Sequence, residues 1–265
     1  MKVVLTIAGS DSSGGAGIQA DLKTFEAFGV FGTSVITVLT AQNTQGVSDI
    51  YPIEPAFIKA QIDAVLNDFE VSAIKIGMLY SNEIIDVVYE AIKACNVPIV
   101  FDPVFISKAG SKLLSDDAIE NMKSLFKYAT LITPNIYEAE ALFGYRFAHT
   151  PSLEAIFELP CSVVIKNHKL EMNNHYRSID TMYTNRSKSV FDTPYIQKNS
   201  NTHGTGCSFS SAIAANLALG KSLEASVAIA KKFVYVGINN APQIGEGNGP
   251  ISHKKGGEIC HRKRA

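Results

Sequence analysis

Short apolar runs recur along this 265-residue chain at intervals that leave room for a helix between them. Val3–Ala8, Ser34–Ala41, Ala73–Leu79, Pro98–Val104, Leu131–Thr133 and Ser162–Lys166 have strand length and are largely apolar, which predicts strands of a parallel sheet covered on both faces. The intervening segments have helical starts. Ser81-Asn82-Glu83 precedes Ile84-Ile85-Asp86-Val87-Val88, and Ser115-Asp116-Asp117 precedes Ala118-Ile119, so acids occupy the first turn where the helix dipole favours them. This alternation predicts an α/β fold, doubly wound, with a mostly parallel central sheet and helices on both faces. Ile179–Tyr183 and Val190–Asp192, separated by Thr184-Asn185-Arg186-Ser187, predict a small antiparallel hairpin at one edge. With no repeat and no linker, one domain is expected over 1–252, and the basic, aperiodic 253–265 is expected to be a disordered tail.

Composition narrows the function classes. Hydrophobic residues make up 46% of the chain and charged ones 18%, enough for a substantial core. A formal net charge of −1 offers no basic face for nucleic acid. Four cysteines, at 95, 161, 207 and 260, have no paired metal-ligand spacing and no disulfide pattern, so a reducing cytoplasm is the expected setting. The first run meets Gly9-Ser10-Asp11 too soon to be a signal peptide, and no apolar run is long enough to span a membrane.

The chemistry gathers where strands end. Asn201-Thr202-His203-Gly204-Thr205-Gly206-Cys207 runs into a small-residue helix, and reads as a glycine-rich anion cradle on a helix N-terminus. Cys207 would sit where a thiolate forms most easily. Gly9 to Gly17 forms a second glycine-rich loop after the first strand. Gly15 and Ala16 stand where a P-loop needs Lys and Ser/Thr, so that reading fails. Gly15-Ala16-Gly17-Ile18-Gln19-Ala20 fits a relaxed dinucleotide fingerprint, but the second strand ends without the acid that would hold a ribose. Asn135 and Glu138 form either a capping box or, with Asp102 at another strand end, the oxygen donors around a magnesium ion. Lys166 and Lys108 are candidates for charge near phosphates, and Met78 for a flat pocket wall. Gln42, an amide at a strand end, can donate and accept at once, which suits an aminopyrimidine edge.

Taken together, Ile7 to Thr24, Ala41-Gln42-Asn43-Thr44, Lys75-Ile76-Gly77-Met78-Leu79, Asp102-Pro103-Val104, Thr133-Pro134-Asn135 with Glu138, Asn201 to Cys207 and the ending Gly247 to His253 resemble hydroxymethylpyrimidine/phosphomethylpyrimidine kinases of thiamine biosynthesis, which have a ribokinase-like fold. The order and spacing match over nearly the whole chain. The resemblance implies that Gln42 reads the pyrimidine, with Ala16, Met78 and Val104 around it and Asp21 nearby. It implies Mg²⁺ and ATP organised by Asp102, Asn135 and Glu138, with Asp102 and Glu138 toward the metal and Lys166 and Thr202 on the nucleotide side. Gly204, Thr205 and Gly206 would form the anion hole, and Cys207 would accept the substrate hydroxyl's proton in place of the aspartate of other ribokinase relatives. A homodimer is also implied.

The chain departs from that pattern in two places. Lys166-Asn167-His168-Lys169 replaces a Lys-Gly-Gly-His run, and Phe105 stands where the family commonly has Met. The alternatives are a pyridoxal kinase of the same superfamily, a non-catalytic pyrimidine sensor, and a nicotinamide or flavin oxidoreductase built on Gly15-Ala16-Gly17.

Overall fold

The structure, a computed structural model, describes residues 1–105, 114–145, 153–172, 174–184, 187–197 and 201–261. Nine strands form one sheet: β1 (Val3–Asp11), β2 (Phe31–Asn43), β3 (Gly46–Pro52), β4 (Val71–Ile76), β5 (Ile99–Phe101), β6 (Leu131–Ile132), β7 (Ser162–Met172), β8 (His175–Thr184) and β9 (Ser187–Pro194). They lie in the order β3-β2-β1-β4-β5-β6-β7-β8-β9. The pairs from β2 through β7 are parallel, whereas β3, β8 and β9 run antiparallel to their neighbours.

The apolar runs are explained by the pleat. Successive side chains point to opposite faces, so Leu5, Ile99, Phe101, Ile132, Val163 and Ile165 enter one core while Val4, Val100, Leu131 and Val164 enter the other. The first core is closed by α2 (Pro55–Asp68), α3 (Asn82–Ile92), α4 (Asp116–Lys123) and α5 (Ile136–Phe143). The second is closed by α1 (Gly17–Phe28), a four-residue turn α6 (Glu154–Phe157) having come between on the first side, and then by α7 (Thr205–Ala218) and α8 (Leu223–Asn239). Ser81 caps α3, accepting from the Ile84 amide at 3.4 Å.

The chain leaves β1 toward β2 on one side and leaves β4 toward β5 on the other. Their carboxyl ends therefore flank a topological switch point, where ligands bind in open α/β sheets.

Three features differ from the sequence reading. The hairpin of β8 and β9 is longer than expected and continues from β7, and the opposite edge carries a second hairpin, β2 to β3, around Thr44-Gln45. β4 stops at Ile76, so Met78 and Leu79 lie beyond the sheet. The third is α9 (His253–His261), a helix where a disordered tail is expected. Its glycines permit close packing: a Cβ on Gly256 would fall 2.8 Å from Phe233 ring carbons, and one on Gly257 2.9 Å from Ala27 Cβ. Buried His253 shares a 2.8 Å hydrogen bond with the Ser208 hydroxyl, and its burial pushes the imidazole down to about 4, keeping it neutral.

Ending the chain after Ser252 uncovers Phe233 and strands Ser208. We expect that truncation to lower Tm by at least about 5 °C in thermal denaturation, since 1 kcal/mol shifts a domain of this size by roughly 2–4 °C.

Candidate active site

Asp11 ends β1, is 3% exposed and receives the loop that follows it. Its carboxylate accepts the Ser13 amide and hydroxyl, each at 2.8 Å, and the Gly15 and Ala16 amides at 3.1 and 2.8 Å. His203 Nε2 lies 2.7 Å from Asp11 Oδ2. Burial pushes this carboxyl up, but the hydrogen bonds from His203, Ser13 and the Ala16 amide outweigh it and hold Asp11 well below the usual carboxylate range.

The second loop is pressed against the first. Gly204 has φ +74°, and a Cβ on it would fall 1.9 Å from the Gly15 carbonyl oxygen. A Cβ on Gly15 would in turn meet His203 Cδ2 at 2.3 Å. Only glycine satisfies either position. The final loop braces the pair: Asn248 Oδ1 accepts the Thr202 amide at 2.8 Å, the Gly249 carbonyl accepts the His203 amide at 3.0 Å, and the Asn248 amide reaches the Thr44 carbonyl at 2.7 Å. Cradle and β2–β3 hairpin are thereby tied together.

Between them lies a cavity of about 720 Å³. Ala16, Gln42, Met78, Val104, Gly204, Gly206 and Cys207 line it, together with Asp102, Asn135, Glu138 and Lys166. Most of the residues expected at the site are therefore brought together. Asp21, Thr202 and Thr205 are not among the lining residues. Asp21 sits beneath the floor, fully buried, where it accepts from Thr6 and Ser211 hydroxyls at 2.7 Å each. Thr205 turns its hydroxyl to the Thr202 carbonyl at 3.0 Å. Phe105 is 1% exposed in the first core rather than on the pocket wall, and His168 packs with Tyr145 at 6.0 Å between ring centres. Lys108 and the side chain of Asn167 lie outside the described residues.

Lys75 lines the cavity floor without having been singled out in the sequence. It is fully buried and donates to Asp21 Oδ2 at 2.8 Å. Burial lowers the ammonium's proton affinity, but Asp21, Cys207 and Asp102 together raise it by more, so the net shift is upward and Lys75 stays charged. Cys207 corrects an expectation. Burial pushes its thiol up, and the carboxylates Asp21 and Asp102 push the same way; Lys75 and the Gly17 amide oppose this without reversing it. Desolvation thus outweighs the helix N-terminus that promised a ready thiolate.

At the other end, Asp102 accepts from Lys166 at 2.6 Å and from the Thr133 hydroxyl at 3.0 Å. Burial lowers the Lys166 proton affinity, but Asp102 and Glu138 reverse that and hold it protonated. Glu138 and Asn135 do form a capping box, at 2.7 and 2.9 Å, and both also line the cavity. Burial raises the Glu138 carboxyl to about 8, with Lys166 opposing and Asp102 adding to the rise. Among the described residues no three His, Cys, Asp or Glu side chains form a metal cage. The Asp102 and Glu138 carboxylates, which line the same cavity and feel each other's charge, nonetheless fit Mg²⁺, which keeps several waters and takes one or two carboxylates alongside phosphate oxygens.

The sequence model of a family described as phosphomethylpyrimidine kinase matches residues 11–252. A hydroxymethylpyrimidine/phosphomethylpyrimidine kinase of Haemophilus influenzae is 43% identical over 268 residues, covering 96% of this chain and 97% of the relative. Among solved structures, the phosphomethylpyrimidine kinase of Clostridium difficile aligns with TM-score 0.74 and 40% identity over 89% of this chain and 98% of that one. The pyridoxal kinase of Staphylococcus aureus in complex with AMP-PCP aligns with TM-score 0.85 and 35% identity over 96% and 94%.

Asp11→Asn keeps the shape of the loop anchor but loses its charge. We expect a loss of roughly 1–3 kcal/mol at neutral pH in chemical denaturation. A depressed carboxyl stabilises fully above the ordinary aspartate value of 3.8 and less as the pH falls below it, so the gap between wild type and variant should close in acid.

Proposed function

The chain belongs to the phosphomethylpyrimidine kinase family, and from that premise we propose that it is an ATP-dependent kinase of 4-amino-5-hydroxymethyl-2-methylpyrimidine and its monophosphate, acting in thiamine biosynthesis. The observation that carries this reading is the single cavity holding a neutral amide, Gln42, at one end and a cationic and carboxylate group, Lys166 with Asp102 and Glu138, at the other. The amide matches an aminopyrimidine, and the charged end matches a nucleotide triphosphate with its metal.

Phosphoryl transfer asks mainly for positioning and charge neutralisation. Gln42, Met78, Ala16 and Val104 hold the pyrimidine so that its hydroxyl faces the cradle. The amides of Gly206 and Cys207 belong to the first turn of α7, whose N–H groups have no acceptor inside the helix, and they receive the negative charge of the group in transit. Lys166 neutralises phosphate oxygens while Asp102 holds its ammonium in place. Asp102 and Glu138 would hold Mg²⁺, which supplies charge compensation on the phosphates when bound. Cys207 takes the hydroxyl's proton as a thiolate, supported by the Lys75 charge beneath it. Asp21 serves this site indirectly, by holding Lys75.

The protein acts as a homodimer in the cytoplasm. Leu39 and Tyr51 stand directly opposite each other on the β2–β3 edge and are 41% and 67% exposed, with Phe57 of α2 at 62%. An apolar sheet edge of this kind calls for a covering partner. ATP supply and the cysteines Cys95, Cys161 and Cys207, all free thiols, accord with the cytoplasm.

In a coupled ADP-release assay with Mg²⁺, ATP and either pyrimidine, turnover is expected; no turnover of either substrate sinks the reading. Cys207→Ala should lower kcat by roughly 10²-fold or more. Since its thiol is raised, wild-type kcat/KM should climb with pH through the alkaline range. In Cys207→Ala the climb should flatten above about 8, where Glu138 is already ionised. Light scattering should give a dimer of the 28.6 kDa chain, and Tyr51→Lys with Leu39→Glu a monomer.

A further inference from the structure

Four distances around Gln42 determine how its amide is turned. Thr40 Oγ1 lies 3.0 Å from the Ser10 carbonyl oxygen and 3.0 Å from the oxygen position of the Gln42 amide. His203 Nε2 lies 2.7 Å from Asp11 Oδ2 and 3.3 Å from the nitrogen position of that amide. A half-turn of the amide exchanges the two positions, so its two orientations must be weighed by their protons.

With oxygen toward Thr40, the one proton of that hydroxyl is contested between the Ser10 carbonyl and Oε1, and the arrangement fails at His203. The His203 Nε2 proton is drawn to the Asp11 carboxylate, so an amide NH2 beside it would set hydrogens against a hydrogen. With nitrogen toward Thr40, that conflict disappears: the Thr40 hydroxyl donates to Ser10 alone, Nε2 donates to the Thr40 oxygen, and Oε1 accepts a second leg of the His203 N–H. The Gln42 backbone is anchored separately, its main-chain N–H donating to Ser12 Oγ at 2.8 Å and that hydroxyl donating back to its main-chain carbonyl at 2.7 Å.

We infer that the Asp11–His203 pair is a positioning device that locks Gln42 with Oε1 on the His203 side and Nε2 on the Thr40 side, and so makes this wall of the cavity selective for a ring nitrogen next to an exocyclic amino group. Thr40 and His203 occupy one N–H and one lone pair of the amide, leaving one donor and one acceptor side by side for the ligand. The ligand's amino group donates to Oε1 near His203, and its ring nitrogen accepts from Nε2 near Thr40. Pyridoxal has no amino group beside its ring nitrogen and cannot use both. The pair is bound to this geometry by its backbone: Gly15 leaves room for the imidazole, and the Gly249 carbonyl holds the His203 amide.

The inference rests on the kinase reading for its substrate, but the orientation itself is testable without turnover. Neutron diffraction from crystals of the free protein should show a deuterium on Gln42 Nε2 pointing at Thr40 Oγ1; one pointing at His203 overturns the inference whatever the enzyme does. Kinetics test the consequence. Wild type, His203→Phe and His203→Gln are compared with the aminopyrimidine alcohol and with pyridoxal. The Phe variant should lower the ratio of kcat/KM for the two substrates by at least about tenfold, mostly through KM for the pyrimidine. The Gln variant, whose amide can donate to both Asp11 and Gln42, should keep the ratio within about threefold of wild type. An unchanged ratio in a folded His203→Phe protein overturns the inference, whereas wild type that turns over neither substrate overturns the kinase reading and leaves the neutron result to decide this one.

Discussion

The Asp11 carboxylate is the point on which the site's geometry depends. It ends the first strand with three backbone amides, a hydroxyl and an imidazole gathered on two oxygens. A buried carboxylate without these partners would be expelled or protonated, and three amides turned inward without an acceptor would each cost a hydrogen bond. Neither side is stable alone. The loop closes around the charge because the charge is there, and the charge persists because the loop closes. Since one of the partners, His203, comes from the other end of the chain, this local solution also brings the cradle to the first loop.

The remaining charges are arranged along the cavity so that each group is held by one of opposite sign. Lys75 and Asp21 form a fully buried pair under Cys207, while Lys166 and Asp102 form another beside Glu138. Such pairs contribute little to net stability, since desolvation offsets most of their attraction. Their value lies in what they do to neighbours. Lys75 is the strongest side-chain influence drawing the Cys207 proton off, against burial and two carboxylates. Lys166 does the same for Glu138. At both ends a buried cation sets how much negative charge its neighbour can hold.

The sheet was largely legible in the sequence, because a strand buried on both faces must be apolar at successive positions and Val4-Leu5, Ile99-Val100-Phe101 and Val163-Val164-Ile165 are. β3 was not legible, since Gly46–Pro52 is mostly exposed and has no buried face to impose a pattern. α9 was hidden by Gly256-Gly257, which break helices in isolation and here let one pack closely. At the site, the glycine loops, Gln42 and the Asn135–Glu138 pair could be found from local spacing. Lys75 reads as part of an apolar run, and only its partner Asp21, 54 positions away, reveals a buried charge. The Asp11–His203 contact spans 192 positions, beyond the reach of any local pattern. Cys207 lies in the first turn of α7, as its spacing predicts, but its proton affinity is raised rather than lowered, because a helix N-terminus is visible in sequence and desolvation is not.

The two glycine-rich loops therefore cannot be treated as separate binding elements. Gly204 is a glycine because the Gly15 carbonyl occupies the space of its Cβ, and Gly15 is one because His203 occupies the space of its own. Each loop excludes side chains from the other. The thiol follows from the same contact: with Gly204 fixed, α7 begins at Thr205 and Cys207 falls in its first turn, where the Gly17 amide from the opposite loop reaches the sulfur. A kinase site of this form has its acceptor pocket and its anion cradle set by one packing interaction, so a change in either loop alters both where the hydroxyl lies and what receives the charge that moves.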